Sequence, residues 1–516
     1  MYPGSHRIIT KSIESYLKLG WYHMFIMILN QILSTCSLTN IGFMTFGGLK
    51  PSFNCSDLPG SLDMDEKQVC KHISNGTCGQ FQLQAEFYSI AMEWNLICDQ
   101  TSQIYWTTSV QMMGVGLGAP VFGQLSDLFG RKWMYVTAFT GMVLVSGLSA
   151  FSSSVLIFLF FRVWIGFFVG GVITIYAVYI SELVPSIHRV WFTSITAPAS
   201  YMLFASLAYY SKDWRTLSWL NNVYPLPFLL LFCLFAVESP RWYIQKNKLN
   251  QAFNAIRSIN RWTCRSLDAE SLKISIDREA MEAVKSEQGW CTSFWHLFYT
   301  WKLTRYSIIL AFAWLKVCFM FTTSCVSYGI LFNSGQLAGS VFVNVVLYGS
   351  LRWLVSVLMS VVDVLVKPVG RQALHTVSIA LMSILTAANF CLTLFGSAAW
   401  HVHLVRYLNL ASAALLSPLW TMIYLVAAEL YPTPIRNIAN SYCSVFARIG
   451  ATVAPQILYT SEFWPPATYL AFFVLLSLDT VAFFFGLPET KGKPLPEHMP
   501  DKRERTVPLS NSSTNC

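Results

Sequence analysis

The sequence predicts an all-α polytopic membrane protein with twelve transmembrane helices in two six-helix halves. Three observations carry that expectation. Of 516 residues, 54% are hydrophobic and 12% charged, where soluble domains carry about 25% charged residues, and the mean hydropathy is +0.47. Apolar stretches occur twelve times along the chain, each near the about 20 residues a helix needs to cross about 30 Å of hydrocarbon. Charged motifs from the first half return in the second at a nearly constant offset. Such a composition excludes a soluble enzyme, a disordered scaffold and a nucleic-acid binder. The net charge of +9 fits the Lys and Arg that membrane proteins gather in their cytoplasmic loops.

In chain order, a short N-terminus (1–18) leads into a first span at 19–49. The N-terminal half, 19–237, continues with spans at 100–126, 133–161, 163–181, 190–211 and 216–237. A polar loop, 238–303, separates it from the C-terminal half, 304–487, with spans at 306–330, 340–364, 373–396, 403–427, 438–460 and 466–487. A polar tail, 488–516, follows. Basic residues in the short loops give the orientation: Arg131 and Lys132, Arg189, Lys367 and Arg371, and Arg436 all fall on one side. The loop 238–303 adds ten more Lys or Arg. Both termini and this loop are therefore expected in the cytoplasm, with Lys212 and Arg215 as exceptions to the rule. Within the loop, 248–259 and 269–285 are amphipathic and predict small cytoplasmic helices. The N-terminal region has no signal-peptide cleavage pattern, so the first span is expected to remain as an anchor.

That orientation puts the loop 50–99 outside. It holds Cys55, Cys70, Cys78 and Cys98, an even set in an oxidising compartment, which predicts two disulfides with the pairing open. The sequons at Asn54 and Asn75 predict glycosylation on the same side, whereas Asn511 falls on the cytoplasmic side. These features support the sidedness independently of the basic residues.

The repeat shows in charged positions. Glu182-Leu183-Val184-Pro185, ending at Arg189, returns as Glu429-Leu430-Tyr431-Pro432, ending at Arg436, 247 residues later. Gly130-Arg131 returns as Gly370-Arg371 and Arg162 as Arg406, at offsets of 240 and 244. Two parallel six-helix repeats suit a carrier whose site lies between the halves near the membrane midplane. Asp127, Arg131, Lys132, Arg162, Glu182, Arg189, Arg371, Glu429 and Arg436 then form a candidate gating and charge network. Its ion pairs would bias a rocking equilibrium, or else staple helix ends.

Gly123-Gln124-Leu125-Ser126-Asp127-Leu128-Phe129-Gly130-Arg131-Lys132 resembles the hallmark turn of the major facilitator superfamily. More narrowly, the chain resembles the organic cation, organic anion and carnitine transporter family. The outer Cys-containing loop ending in Glu93-Trp94-Asn95-Leu96-Ile97-Cys98 carries that resemblance. So do Glu238-Ser239-Pro240-Arg241-Trp242, Glu429-Leu430-Tyr431-Pro432-Thr433 and Pro488-Glu489-Thr490-Lys491-Gly492. The second-half turn departs from the pattern, reading Val369-Gly370-Arg371-Gln372 with one basic residue. The resemblance implies the major facilitator fold, alternating access and a plasma-membrane location.

Charges inside spans are expensive and mark candidate sites. Arg448 stands twelve residues past Arg436, about 18 Å into its helix, with Ser441, Ser444 and Thr452 on its face. Arginine offers a planar fork suited to a carboxylate or sulfate. The resemblance adds that this position is acidic in cation carriers and basic in anion and carnitine carriers. Arg352 shares a face with Ser356, Ser360 and Asp363, and Lys316 lies among apolar neighbours. Asp479 invites an internal ion pair, with Arg448 as one possible partner. Trp314 and Phe321, seven residues apart, share a face, and the resemblance implies an aromatic lining there. The spaced glycines after Arg162, Gly166 and Gly170, predict a close helix crossing.

The leading expectation is a secondary transporter of small organic anions or zwitterions such as carnitine. A cation or sugar carrier of the same fold, or a non-transporting receptor-like protein, are the alternatives. The partners are a small organic solute and the lipid bilayer, with no nucleic acid. No cofactor, metal spacing, nucleophile–base pair or nucleotide motif emerges, so no enzymatic activity is expected, and no residue identifies a coupling ion.

Overall fold

A computed structural model describes residues 13, 16–17, 19–55, 66–78, 81–184, 199–262, 268–289, 319–365, 370–396, 400–417, 419–420 and 436–486. Each of the twelve expected spans contains a helix. In the N-terminal half these are α1 (Trp21–Gly42), α2 (Ser102–Phe129), α3 (Arg131–Ser149), α4 (Val155–Leu183), α5 (Ala199–Ser211) and α6 (Trp214–Phe235). In the C-terminal half they are α7 (Phe319–Asn333), α8 (Val341–Leu365), α9 (Arg371–Phe395), α10 (Trp400–Ala414), α11 (Arg436–Tyr459) and α12 (Ala467–Gly486).

One boundary differs from expectation. The chain leaves α3 at Ser149 and starts α4 at Val155, not after residue 161. No charged residue lies between Lys132 and Arg162, and only the short run Ser152-Ser153-Ser154 marks the turn. Ser154 makes it by capping α4, its side chain accepting from Ile157 N, the role Ser takes at a helix N-terminus.

Within the N-terminal half, α2 packs most extensively on α4. A β-carbon on Gly114 or Gly118 would collide with the carbonyl oxygens of Val163 or Phe167, and one on Gly166 or Gly170 with those of Gln111 or Val115. Backbone therefore meets backbone there, as small residues permit in membrane helices. In the other half α7 packs on α11 and α9 on α12. The halves meet where α2 lies on α11 and α5 on α8.

Outside the membrane, β1 (Ser52–Cys55) pairs antiparallel with β2 (Phe81–Gln84), Ser52 opposite Gln84. A helix, Glu66–Ser74, joins them over a small core of Phe53, Val69 and Ile97. The disulfides are Cys55–Cys78 and Cys70–Cys98. So small a core needs covalent staples.

Arg215, an outer exception to the charge rule, is neutralised. Glu93 accepts from Arg215 Nη2 at 2.5 Å and from Trp214 Nε1 at 2.7 Å, and Arg215 Nη2 also donates to Ser152 O at 2.7 Å. The Glu-Trp-Asn-Leu-Ile-Cys segment thereby fixes the start of α6. At the end of the bundle away from the disulfide-bonded domain, helices Pro240–Gln245, Leu249–Arg261 and Ala269–Gly289 lie beneath the N-terminal half. Trp262 stacks on Phe25 of α1 at 5.4 Å. Tyr16 joins them by accepting from Asn260 Nδ2 at its carbonyl (3.1 Å) and donating to Ser271 Oγ (3.0 Å).

Candidate functional site

The hallmark turn folds around one arginine. Arg131 is buried, pairs with Asp127 one turn earlier, and donates from Nη2 to Glu182 Oε1 at 3.1 Å. It therefore ties the end of α2 and the start of α3 to the end of α4. Asp127, near the end of α2, thus meets a cation at the start of α3.

Glu238 completes the knot. Its carboxylate accepts from the backbone N–H groups of Arg131 (2.8 Å), Lys132 (3.0 Å) and Ser239 (3.0 Å). The Arg131 and Lys132 donors open α3, where orphan N–H groups and the helix dipole favour an anion. Burial pushes the Glu238 carboxyl above its usual range, and the backbone donors pull it partly back. Gly130 adopts φ +107°, and a β-carbon there would meet the Glu238 carboxylate. Trp242 Nε1 donates to Asp127 O at 3.0 Å, and Lys132 Nζ to Cys233 O at 2.8 Å. Two motifs 107 residues apart thus form one cluster.

Arg162 does not join this network. Because α4 begins outside at Val155, Arg162 sits twenty residues before Glu182, about 30 Å away along the helix. It is 1% exposed, between the rings of Phe43 (4.0 Å) and Phe158 (4.6 Å), and its Nε and Nη1 have no hydrogen-bond partner among the described residues.

Two arginines face the junction between the halves. Arg352, 8% exposed on α8, donates from Nη1 to Tyr348 OH at 2.6 Å and from Nε to Ser417 Oγ at 3.2 Å. Its guanidinium also lies 5.2 Å from the Tyr348 ring and 5.7 Å from the ring of Tyr201 on α5. Tyr201 and Tyr348 meet edge to face at 5.2 Å, which makes Arg352 a cation shared by both halves. Nearby, Trp420 Nε1 donates to Ser327 Oγ at 3.3 Å.

Arg448 is half-buried on α11, against α2 where Gly116 leaves room for its stem. Ser444 lies one turn below it and is also half-buried. Above it, Thr452 donates its hydroxyl to Arg448 O at 2.9 Å and accepts at its carbonyl from Ser109 Oγ of α2 at 2.9 Å. Neither Arg352 nor Arg448 pairs with a carboxylate among the described residues.

The Arg448–Asp479 pair considered from sequence is not formed. Asp479 is 1% exposed on α12, and neither of its carboxylate oxygens has a hydrogen-bond partner among the described residues. α12 packs chiefly on α9, away from the α2–α11 contact that holds Arg448.

Other expected positions stand as follows. Phe321 is partly buried on α7, where its carbonyl abuts Gly450 of α11. Asn75 is exposed at a turn beyond the helix Glu66–Ser74, and Asn54 lies on β1. Arg371 opens α9 and Arg436 opens α11. Trp314, Lys316, Arg189 and Glu429 lie outside the described residues. Tyr201, Tyr348 and Ser417 carry no sequence motif. The one available signal is that Tyr348 precedes Arg352 by one helical turn.

Among the described residues, the hydrogen bonds and ring contacts that join the halves lie level with Arg352 and Arg448 or outside them, so the outer side is shut.

The family model described as "Sugar (and other) transporter" matches residues 61–501. An organic cation transporter-like protein of Drosophila melanogaster is 26% identical, over 95% of this chain and 92% of its own. Solute carrier family 22 member 6 of Danio rerio is 27% identical, over 88% and 78%. An uncharacterized protein of Caenorhabditis elegans is 26% identical, over 93% and 94%. Among solved structures, the inward open xylose transporter XylE of E. coli aligns with a TM-score of 0.63 at 15% identity, covering 91% of this chain and 98% of its own.

Proposed function

The chain belongs to the sugar (and other) transporter family of the major facilitator superfamily, and we propose that it carries small organic anions or zwitterions by alternating access. It is a multi-pass membrane transporter similar to solute carrier family 22 proteins. The choice of anion rests mainly on Arg352, a buried cation held between the halves by Tyr348, Tyr201 and Ser417 without a carboxylate partner among the described residues.

A buried charge without a counter-charge is costly. A solute carboxylate would supply the missing charge, and the fork of Arg352 presents it a planar set of donors. The flanking tyrosine rings would pack on the organic part of the solute. Arg448, half-buried on the same inter-half junction, supplies a second positive potential and draws anions toward the site. Binding that depends on groups from both halves favours the state in which they close around the solute. The cytoplasmic cluster around Arg131 and Glu238 keeps the N-terminal half rigid while it rocks.

Uptake into cells expressing the protein tests this reading, with a hydrophobic carboxylate, carnitine, a quaternary ammonium and glucose as labelled solutes. Carboxylate or carnitine uptake that Arg448→Asp abolishes, at equal surface abundance, is the expected result. Quaternary ammonium uptake by the unaltered protein, with none of the carboxylate or carnitine, would overturn the choice of anion and leave the fold intact.

A further inference from the structure

The polar contacts at the outer face concentrate on one carboxylate. Glu462 lies in the turn Thr460–Glu462 between α11 and α12. It pairs with Lys50, in the segment leading from α1 to β1, and accepts from Tyr105 OH of α2 at 2.9 Å. The Tyr105 hydroxyl also accepts from Gln336 Nε2, just past α7, at 3.2 Å. Lys50 Nζ lies 5.2 Å from the Tyr105 ring. A single C-terminal-half carboxylate thus holds two separate elements of the N-terminal half.

A second tether stands beside it. Glu86 of the outer domain accepts from Ser340 Oγ at 2.8 Å and from Val341 N at 3.3 Å, capping the start of α8. Phe46 stacks on Phe342 at 5.5 Å, and Gln456 Nε2 donates to Ser109 Oγ at 3.0 Å. A small cavity lies under these contacts, lined by Thr45, Tyr105 and Thr108 from one half and by Phe332, Gln336 and Leu458 from the other.

We infer that Glu462, Lys50 and Tyr105 form the latch of an outer gate, made when the halves close at the outer face and broken to admit solute. The inference rests on the transport reading. Three features separate a latch from a permanent staple. Both contacts of Glu462, to Lys50 and to Tyr105, cross between the halves. The Lys50 and Glu462 side chains remain 26% and 33% exposed, so water can replace each partner as the halves part. Removing one carboxylate takes a cross-half partner from both Lys50 and Tyr105, which makes the closed state sensitive to a single position.

The test reads opening without transport. Thr108, 4% exposed on the cavity wall, is replaced by Cys, and labelling by a membrane-impermeant thiol reagent is measured on intact cells above the parent protein's level. Labelling is expected to be low in this background. Adding Glu462→Gln or Lys50→Glu should raise it about three- to tenfold, the shift for losing one or two partly exposed polar contacts. The exchange Lys50→Glu with Glu462→Lys should return it toward the low level, and Tyr105→Phe should raise it less than Glu462→Gln. Thr45→Cys serves as a second reporter if Thr108→Cys does not reach the surface. Equal labelling in all variants, or no recovery in the charge exchange, overturns the latch. Because labelling needs no solute, such a failure is distinguishable from failure of the anion reading, which shows in uptake alone.

Discussion

Replacing Arg352 separates charge from geometry at the inter-half junction. Its Nη1 and Nε are committed to Tyr348 OH and Ser417 Oγ, which leaves the rest of the fork to face a solute carboxylate. Arg352→Gln removes the charge while keeping a polar side chain to satisfy Tyr348 and Ser417, so the helices should stay packed. Arg352→Lys keeps the charge but loses the fork. A hydrogen bond to a charged group is worth about 1.5–3 kcal/mol, so losing one of two from the fork should raise KM for a carboxylate about 10- to 150-fold. Losing the charge as well should bring carboxylate uptake to background. The assay is concentration-dependent uptake of a labelled carboxylate in intact cells, normalised to surface-biotinylated protein. Partial rescue by Lys and none by Gln is the pattern expected of substrate contact. Unchanged KM and maximal uptake in Arg352→Gln would refute the reasoning, because a purely structural arginine would then have been replaced without touching the solute.

Two further changes test the scaffold. Gly118→Val drives a branched side chain into the backbone carbonyl of Phe167, which no rotamer change relieves. Overpacking costs about 1–3 kcal/mol where neighbours can shift, and here backbone must move, so surface abundance and thermal stability should both fall; a variant as stable as the parent would contradict the close crossing of α2 and α4. Glu238→Gln leaves the N–H donors of Arg131, Lys132 and Ser239 without a carboxylate. It should cost about 1–3 kcal/mol, read as a lower Tm of the purified protein, with more lost in Glu238→Ala. No change in either would remove Glu238 from the cluster.

Much of this fold was legible because hydropathy and charge are local properties. Twelve apolar runs gave twelve helices, and the even cysteine set gave two disulfides. The α3–α4 boundary was not legible, because no charged residue falls between Lys132 and Arg162, and the three serines 152–154 at the turn interrupt the hydropathy only briefly. The cytoplasmic cluster was legible in part. Asp127, Arg131 and Glu182 stood out as charges beside spans, whereas the link from Glu238 to the start of α3 spans 107 residues and leaves no periodicity to find. Arg162 appeared with that cluster only because it repeats as Arg406. Its helix starts on the other side of the membrane, which puts it among Phe43 and Phe158 instead.

By itself, the sequence determined the protein's class and its count of spans. The bilayer imposes a length and an apolarity on every span, and each can be counted along the chain. Only the tertiary structure decided which charges meet. It paired Cys55 with Cys78, put Tyr201 of one half against Arg352 of the other, separated Asp479 from Arg448, and gave Glu462 to Lys50 and Tyr105. The reason is physical: partners across a helix junction are chosen by packing, and packing joins residues whose distance in sequence says nothing about their distance in space.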